Sequence, residues 1–91
     1  MHLEWDEGKR GSNLTKHGLD FALAESFELE GALIEVDDRR DYGEVRLVAI
    51  GMIETRLHVP VFAPRGEVTR VIGLRKANAR ERKRYEEAKQ A

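Results

Sequence analysis

The chain has 91 residues, of which 41% are hydrophobic and 36% are charged, and its formal net charge is −1. This length predicts a single domain, residues 1–91, with a thin core. The sequence contains no cysteine, which excludes a disulfide framework and thiolate chemistry. No apolar run approaches the roughly 20 residues that span a bilayer, and charge within the first four residues argues against a signal peptide, so we expect a cytoplasmic protein.

The first third of the sequence predicts a short strand and two short helices. Each helix follows an aspartate that suits the N-cap position, Asp6 or Asp20, and precedes a glycine that suits a left-handed C-terminal residue, Gly18 or Gly31. The apolar residues of the second helix recur at spacings of three and four, as expected for a helix that packs on a core. The three elements are expected at His2–Trp5, Glu7–Lys16 and Phe21–Glu28.

The middle of the chain predicts a sheet, because β-branched and apolar residues alternate with polar ones between short turns. A charged turn follows the first strand, and Ala63–Gly66 is expected to form a hairpin turn before the last. Pro60 removes a ladder donor from the third strand, which predicts an edge or a bulge there. The four strands are expected at Ala32–Val36, Glu44–Gly51, Arg56–Phe62 and Glu67–Leu74.

A charged helix, Ala79–Gln90, is expected to close the chain. Asn78 suits its N-cap, and Glu81 lies three residues later, which is the spacing of a capping box. Short connections between the strands favour an antiparallel meander. We therefore expect an α+β fold, with an antiparallel β-meander of about four strands, two short N-terminal helices on one face and a C-terminal basic helix.

The charge is unevenly distributed along the chain. Residues 65–91 hold nine of the 16 lysines and arginines but only four of the 17 acidic residues, an excess of five positive charges. Residues 1–64 hold the other seven basic and 13 acidic residues. A positive corner between the last strand and the last helix could bind phosphate groups. The alternative, left equally open by the sequence, is a solvated helix whose charges serve solubility.

Lys16 and His17 are candidates for chemistry at the end of the first helix. An imidazole titrates near neutral pH, and a helix C-terminus favours a cation, so His17 could act as a general acid or base. Lys9, Asn13 and Lys16 lie three or four residues apart and therefore share one side of this helix. The alternative for His17 is a bond to the terminal carbonyl groups of its own helix.

Three arginines, Arg46, Arg70 and Arg75, are candidates for phosphate binding, because guanidinium groups grip phosphate in a bidentate manner. Arg70 lies in phase with the apolar residues of its strand, which is an unusual place for a charge. The alternative role for Arg70 is a cross-strand ion pair with Glu44 or Glu67.

The acidic residues between Glu35 and Asp41 could hold a divalent cation, but they lack the spacing of a metal-binding loop. The interleaved Arg39 and Arg40 favour an exposed, salt-bridged turn instead. We therefore expect no metal site and no cofactor.

Three groups of residues resemble the sequence signature of the BrnT toxin family. The opening group fits the pattern WD..K...N..KHG..F..A through Trp5, Asp6, Lys9, Asn13, Lys16, His17, Gly18, Phe21 and Ala24. The middle group comprises Asp38, Arg39, Asp41, Tyr42, Gly43, Glu44, Arg46 and Gly51. The closing group fits R.IS.R.A...ER..Y through Arg70, Ile72, Arg75, Ala77, Glu81, Arg82 and Tyr85. The family usually has serine where this chain has Gly73, so a role for that hydroxyl is not carried over.

The resemblance implies a toxin of a bacterial type II toxin–antitoxin pair, with a fold similar to that of the RelE ribonucleases. Such a toxin cleaves RNA without a metal ion and is silenced by a small BrnA-like antitoxin that also binds operator DNA. The pair would form a heterotetramer, or the toxin a homodimer. The non-enzymatic alternatives are a silent nucleic-acid-binding module and a protein-interaction module.

RNA cleavage through the 2′-hydroxyl needs an acid or base and cations around the phosphorane. From the matching positions and this chemistry, we expect His17 to be the acid or base, with Lys16 in support. Arg70 and Arg75 are expected to stabilise the charge of the transition state. The expected RNA contacts are Arg46, Lys76 and Arg80. These assignments require His17 and the arginines to lie within one cleft.

Overall fold

A computed structural model describes residues 2–90, which contain five strands, two α-helices and one 3₁₀ helix. The strands are β1 (Leu3–Glu4), β2 (Leu33–Val36), β3 (Leu47–Ile53), β4 (Arg56–Arg65) and β5 (Val68–Lys76). The helices are α1 (Glu7–His17), the 3₁₀ helix (Phe21–Ser26) and α2 (Ala79–Gln90). Within this part of the chain, no helix is long and apolar enough to cross a membrane.

The five strands form one sheet in the order β1-β5-β4-β3-β2. Strands β2 to β5 pair as an antiparallel meander, and β1 pairs in parallel with β5. The α+β class and the helices at both ends are confirmed. The sheet has five strands rather than about four, because the short N-terminal strand joins its edge.

The main core lies on one face of the sheet. The 3₁₀ helix packs on this face, where Phe27 meets Phe62 edge to face with ring centroids 6.0 Å apart. Burial of such side chains stabilises the fold by about 25 cal/mol per Å² of apolar surface. The buried residues of this cluster are Leu19, Phe21, Ala24, Phe27, Ala49, Ile53, Phe62, Val71 and Leu74.

The second face of the sheet is covered at one end only. Ile50, Leu57 and Val59 are buried there and pack with Tyr85 of α2 and with Ala77. Within Ala79–Gln90 itself no residue is buried, so α2 lies on the sheet as a polar helix. The other end of this face is open and carries a group of arginines.

The second predicted helix is shorter than expected and is a 3₁₀ helix. It ends at Ser26 because the chain then joins the sheet: Phe27 forms an isolated bridge to Ile53, and the Glu28 N–H donates to the Met52 carbonyl at 2.9 Å. Gly31 is left-handed, with a φ of 85°, but it lies in the following turn rather than at a helix end.

The strand boundaries differ from the sequence predictions in β3, β4 and β5, and by one residue in β2. β3 ends at Ile53 rather than Gly51, and β5 ends at Lys76 rather than Leu74, so Arg75 and Lys76 belong to that strand. β3 begins at Leu47 rather than Glu44, because the preceding residues fold into a loop held by their own charged side chains. β4 continues to Arg65, so the hairpin turn consists of Gly66 and Glu67. Gly66 has a φ of 63°, which suits the first central position of a tight two-residue turn.

Pro60 lies in β4, a central strand, rather than at an edge. It opposes Leu74 of β5 beside a register irregularity between Val61 and Phe62. On the other side, the pairing with β3 is interrupted around Pro60, as expected for a residue that has no N–H to donate. The sheet therefore accommodates the proline by local loss of pairing.

Candidate functional site

A shallow cleft of about 540 Å³ lies between α1 and β5. Lys9, Lys16 and His17 lie seven and eight residues apart along α1, which places them on one side of the helix. We call this the helix cleft. It is lined by Asp6, Gly8, Lys9, Ser12, Asn13, Lys16, His17 and Ile72.

The local sequence fixes both ends of α1. Asp6 caps the N-terminus, where its side chain accepts the N–H of Lys9 at 2.9 Å. Gly18 is left-handed, with a φ of 69°, and its N–H donates to the Leu14 carbonyl at 2.8 Å. Both predicted caps are confirmed, and they leave His17 as the last helical residue.

Polar contacts hold α1 against the sheet, because no residue within Glu7–His17 is buried. The Asn13 amide donates to the carbonyl oxygens of Leu74, at 2.8 Å, and of Leu19, at 3.0 Å. Its Oδ1 accepts the Leu74 N–H at 3.1 Å, so one side chain satisfies both backbone groups of Leu74. Arg10 adds a bidentate pair with Asp20, at 2.9 and 2.7 Å, which holds the pKa of Asp20 at about 2.

The basic side chains of the helix cleft form no ion pairs with acidic side chains among the described residues. Among residues 2–90, no ion pair involves Lys9, Lys16 or His17. Asp6 also lines the cleft, but its carboxylate accepts the capping bond. The cleft therefore offers two ammonium groups and an imidazole to an anion, and an imidazole suits general acid–base chemistry near neutral pH.

A second cleft, of about 410 Å³, lies at the open end of the second sheet face. Val48 and Val61, which oppose each other in β3 and β4, provide apolar lining. We call this the sheet-face cleft. It is lined by Glu35, Val36, Asp37, Asp38, Arg39, Val48, Val61, Arg75 and Glu81.

Arg75 is bound to Glu81 at the start of α2. Its Nη1 and Nη2 donate to the two carboxylate oxygens, each at 2.7 Å. Glu81 also accepts the Asn78 N–H at 2.9 Å, and Asn78 Oδ1 accepts the Glu81 N–H at 2.8 Å, which confirms the predicted capping box. The bonds between Arg75 and Glu81 lower the pKa of Glu81 and raise that of Arg75. Arg75 therefore anchors α2 to β5, and its charge is largely neutralised.

Asp37 is buried rather than exposed in the charged turn. Arg39 Nε and Nη2 donate to its two oxygens at 2.8 and 2.9 Å, and the Tyr42 hydroxyl donates to Oδ2 at 3.2 Å. The bonds from Arg39 hold the pKa of Asp37 at about 2 despite its burial. The guanidinium carbon of Arg46 lies 4.1 Å from the centroid of the Tyr42 ring. The turn is thus salt-bridged, as expected, but it is folded around its first aspartate.

Arg70 lies on the same face as the sheet-face cleft. It opposes Ala63, which is two residues beyond Val61 on β4. Its Nη2 donates to Glu4 of β1 at 2.9 Å, and neither of the cross-strand partners suggested by the sequence is used. The Nε atoms of Arg46 and Arg70 are buried and have no hydrogen-bond acceptor among the described residues. The nearest carboxylate oxygen of Glu44 lies 3.7 Å from Arg46 Nε, which is too far for a hydrogen bond.

The structure separates the residues that the sequence assigns to catalysis. Lys16 and His17 line the helix cleft, Arg75 lines the sheet-face cleft, and among the residues lining either cleft none lines both. Lys76 and Arg80 are exposed, at the end of β5 and the start of α2. The structure therefore does not bring His17 and Arg75 into one cleft.

Lys9 is a functional candidate to which the sequence prediction gives no role. Its signal is the helical spacing that places it beside Lys16 on one side of α1. Tyr42 belongs to the middle group of the family resemblance, but its contacts with Asp37 and Arg46 have no signal in the sequence, because they depend on how the loop folds onto the sheet. Among residues 2–90, no group of three or more histidine, aspartate or glutamate side chains is placed to hold a metal ion.

A family model described as a ribonuclease toxin, BrnT, of a type II toxin–antitoxin system matches residues 5–81. The match includes α1, strands β2 to β5 and the first residues of α2, and therefore the residues that line both clefts. Among curated proteins, no sequence matches this chain.

Proposed function

Because this chain belongs to the BrnT family of ribonuclease toxins of type II toxin–antitoxin systems, we propose that it cleaves RNA internally in the helix cleft, without a metal ion. Family membership implies an RNA substrate and an antitoxin partner. The proposal adds the place of the reaction and the side chains that perform it. It is carried by one observation, the presence of Lys9, Lys16 and His17 in one cleft with no ion-pair partner among residues 2–90.

In the proposed reaction, neutral His17 removes the proton of a ribose 2′-hydroxyl. The 2′-oxygen attacks the adjacent phosphorus, the bond to the 5′-oxygen breaks, and a 2′,3′-cyclic phosphate is left. The departing 5′-oxygen takes a proton from Lys16 or from water. Lys9 and Lys16 stabilise the negative charge that develops on the phosphorane, since positioned cations act most strongly where charge appears in the transition state.

The arginines have a different role in this proposal. Arg75 holds α2 and Arg70 holds β1, each through a carboxylate, so neither guanidinium is fully available to a phosphate. Lys76 and Arg80 are exposed and are proposed to contact RNA outside the cleft. Arg46 is proposed to fix the loop through its contact with Tyr42.

One observation favours a second candidate site on the sheet face. The Nε groups of Arg46 and Arg70 are buried and lack an acceptor among the described residues, and such groups call for a physical explanation. A phosphate that displaced the present carboxylate partners would supply acceptors to both side chains. In that case RNA would bind on the sheet face beside the sheet-face cleft, because Arg75 lines that cleft and Arg46 and Arg70 do not.

The test is the variant His17→Ala, with His2→Ala as the matched control, because His2 is exposed and lines neither cleft. Cleavage of a short RNA should fall by roughly 10²–10⁴-fold in His17→Ala, as expected for loss of a general acid or base. RNA binding and the melting temperature should change little, because an exposed imidazole at a helix end stabilises by about 1 kcal/mol at most. His2→Ala should retain the rate of the unmodified chain.

Two outcomes would contradict this assignment. If folded His17→Ala cleaves RNA at the wild-type rate, the reaction does not take place in the helix cleft. If the unmodified chain binds RNA without cleaving it, the chain is a binding module, and catalysis is excluded altogether.

The antitoxin is proposed to be BrnA-like and acidic where it meets α2. Arg80, Arg82 and Lys83 are exposed and form no ion pair within residues 2–90. A polar helix that buries none of its residues gains stability from a partner that covers it. Coexpression with the product of the adjacent gene is the test: co-purification, a higher melting temperature and loss of cleavage are expected. An adjacent product that changes neither stability nor cleavage would refute the pairing.

A further inference from the structure

The two edges of the sheet differ in whether other parts of the chain cover the edge strand. At one edge, β1 covers Thr69 and Arg70 of β5, and the Asn13 amide bonds the backbone of Leu74 further along. At the other edge, β2 pairs with β3 on its inner side, and within residues 2–90 no strand pairs with its outer side. The chain itself thus covers part of one edge, whereas within the described residues the outer side of β2 is uncovered.

The open edge directs the backbone groups of Ile34 and Val36 outward. In an antiparallel pair, alternate residues bond the neighbouring strand, and the residues between them point away from it. The Asp37 N–H donates to the Arg46 carbonyl at 2.8 Å, and this pair continues the register of β2 with β3. The odd-numbered residues of β2 therefore bond β3, and Ile34 and Val36 face outward.

The side chains of the same two residues are also exposed. Ile34 is 46% and Val36 is 62% exposed. Their register partners Ala49 and Leu47 place both on the face that carries the main core. Unpaired backbone groups next to exposed aliphatic side chains make a strand edge a template for another strand.

We propose that this edge pairs with β2 of a second copy of the chain. An antiparallel pairing with its two-fold axis at Glu35 sets Ile34 of each protomer opposite Val36 of its partner. All four residues point outward, so four backbone hydrogen bonds can form between the strands. The four aliphatic side chains then adjoin on one face of a continuous sheet.

The charges at this axis are self-complementary. Glu35 points to the other face, where it forms an ion pair with Arg84 of α2. Two glutamates that face each other would repel if they were alone. In each protomer, however, Glu35 is paired with Arg84, so positive and negative charges alternate across the two-fold axis. Because the two surfaces are identical and their charges match, a second copy of the chain is favoured over an unrelated strand. The proposed dimer does not depend on the proposed RNA cleavage.

The mass of the full chain, measured by light scattering over a series of concentrations, tests the proposal. It should rise from 10.4 kDa towards twice that value, because a four-residue edge makes a weak, concentration-dependent dimer. Val36→Lys should remain a monomer throughout. Val45→Lys is the matched control: Val45 is 58% exposed but lies outside β2, so this variant should dimerise normally.

Amide hydrogen exchange locates the contact. In the monomer, the N–H groups of Ile34 and Val36 should exchange quickly, and those of Leu33 and Glu35 slowly. Raising the concentration should slow exchange at Ile34 and Val36. A chain that stays at 10.4 kDa, or a Val45→Lys variant as impaired as Val36→Lys, would overturn the proposal. The proposal would also be overturned if the chain alone is a monomer and Val36→Lys impairs only the binding of the antitoxin.

Discussion

The helix cleft and the sheet face that carries the other cleft both present several basic side chains, but these differ in whether an acidic side chain pairs with them. In the helix cleft, Lys9, Lys16 and His17 form no ion pair within residues 2–90. On the sheet face, four arginines form an ion pair with a carboxylate at 2.7 to 2.9 Å, and Arg46 lies 3.7 Å from the carboxylate of Glu44. The four are Arg39, Arg65, Arg70 and Arg75. The first cleft can accept an anion directly, and the second must first give up internal contacts.

This difference shows that a count of charges along the sequence does not locate the available charge. The C-terminal third has the excess of basic residues, and yet Arg65, Arg70 and Arg75 neutralise acids of the fold. The helix cleft belongs to the first 64 residues, where acids outnumber bases. Lys9 and Lys16 of α1 form no ion pair with those acids among the described residues, although Asp6 lines the same cleft.

The largest expected effect is on the rate of RNA cleavage, measured in one variant of each cleft. His17→Ala should lower RNA cleavage by roughly 10²–10⁴-fold, and Arg75→Ala should lower it by less than about tenfold when assayed below its melting temperature. Single-turnover cleavage at saturating protein separates chemistry from binding. If folded Arg75→Ala loses as much activity as His17→Ala, the arginine takes part in the chemistry, and the two clefts must act together.

The next effect concerns stability. Glu81→Ala removes the carboxylate of the capping box and leaves Arg75 without its partner, so the free energy of unfolding should fall by about 1–3 kcal/mol. Glu86→Ala is the control, because Glu86 is an exposed residue of the same helix, and it should change stability by about 0.5 kcal/mol or less. Urea unfolding measures both. Loss of cleavage by folded Glu81→Ala would instead identify its carboxylate as a catalytic group on the sheet face.

A smaller effect is expected in the salt dependence of RNA binding. Each phosphate contact releases counterions, so Lys9→Ala should flatten the plot of log affinity against log salt by about one unit. Arg75→Ala should leave the slope unchanged, since its charge is already neutralised by Glu81. Fluorescence anisotropy with a labelled RNA at several salt concentrations gives both slopes. The reverse result, a change for Arg75 alone, would place the RNA on the sheet face.

The smallest effect is expected in acid, where each region has one aspartate with a lowered pKa. Asp20 beside α1 and Asp37 in the loop both have a pKa of about 2 in the folded chain, chiefly through bonds from Arg10 and Arg39. Each therefore stabilises the fold above pH 4, and this contribution is lost as the pH falls from about 4 to 2. Asp20→Asn and Asp37→Asn should each reduce the fall in melting temperature over this range. An unchanged pH dependence in both variants would mean that other groups cause the acid sensitivity.

Local features of the fold were predictable from the sequence because they depend on neighbouring residues. The caps Asp6 and Gly18 and the capping box of Asn78 and Glu81 are confirmed, and the bounds of α2 agree with the prediction. These signals act within one helical turn, so no tertiary information is needed. The BrnT resemblance, read from spaced residues over nearly the whole chain, is also confirmed.

The arrangement of the site was not predictable in the same way. The partner of Arg70 is Glu4, which lies 66 residues earlier in the chain. The parallel pairing of β1 with β5 brings the two residues together, and no local sequence pattern predicts that pairing. The irregularity between Val61 and Phe62 changes the register of β4 against β5, and a shift of one residue changes which side chains share a face. Whether His17 and Arg75 meet depends on this geometry, and spacing along the chain does not reveal it.

The attachment of α1 has a consequence for temperature. The helix that carries His17 is held by the amide of Asn13 and the pair of Arg10 with Asp20, with no buried side chain of its own. Elements held by few buried contacts detach at a lower free energy than the global unfolding of the domain. On warming, the helix should leave β5 while the sheet and its aromatic core remain intact. A toxin built in this way would lose its activity at a temperature where most of its structure is still present, and would regain it on cooling without refolding the domain.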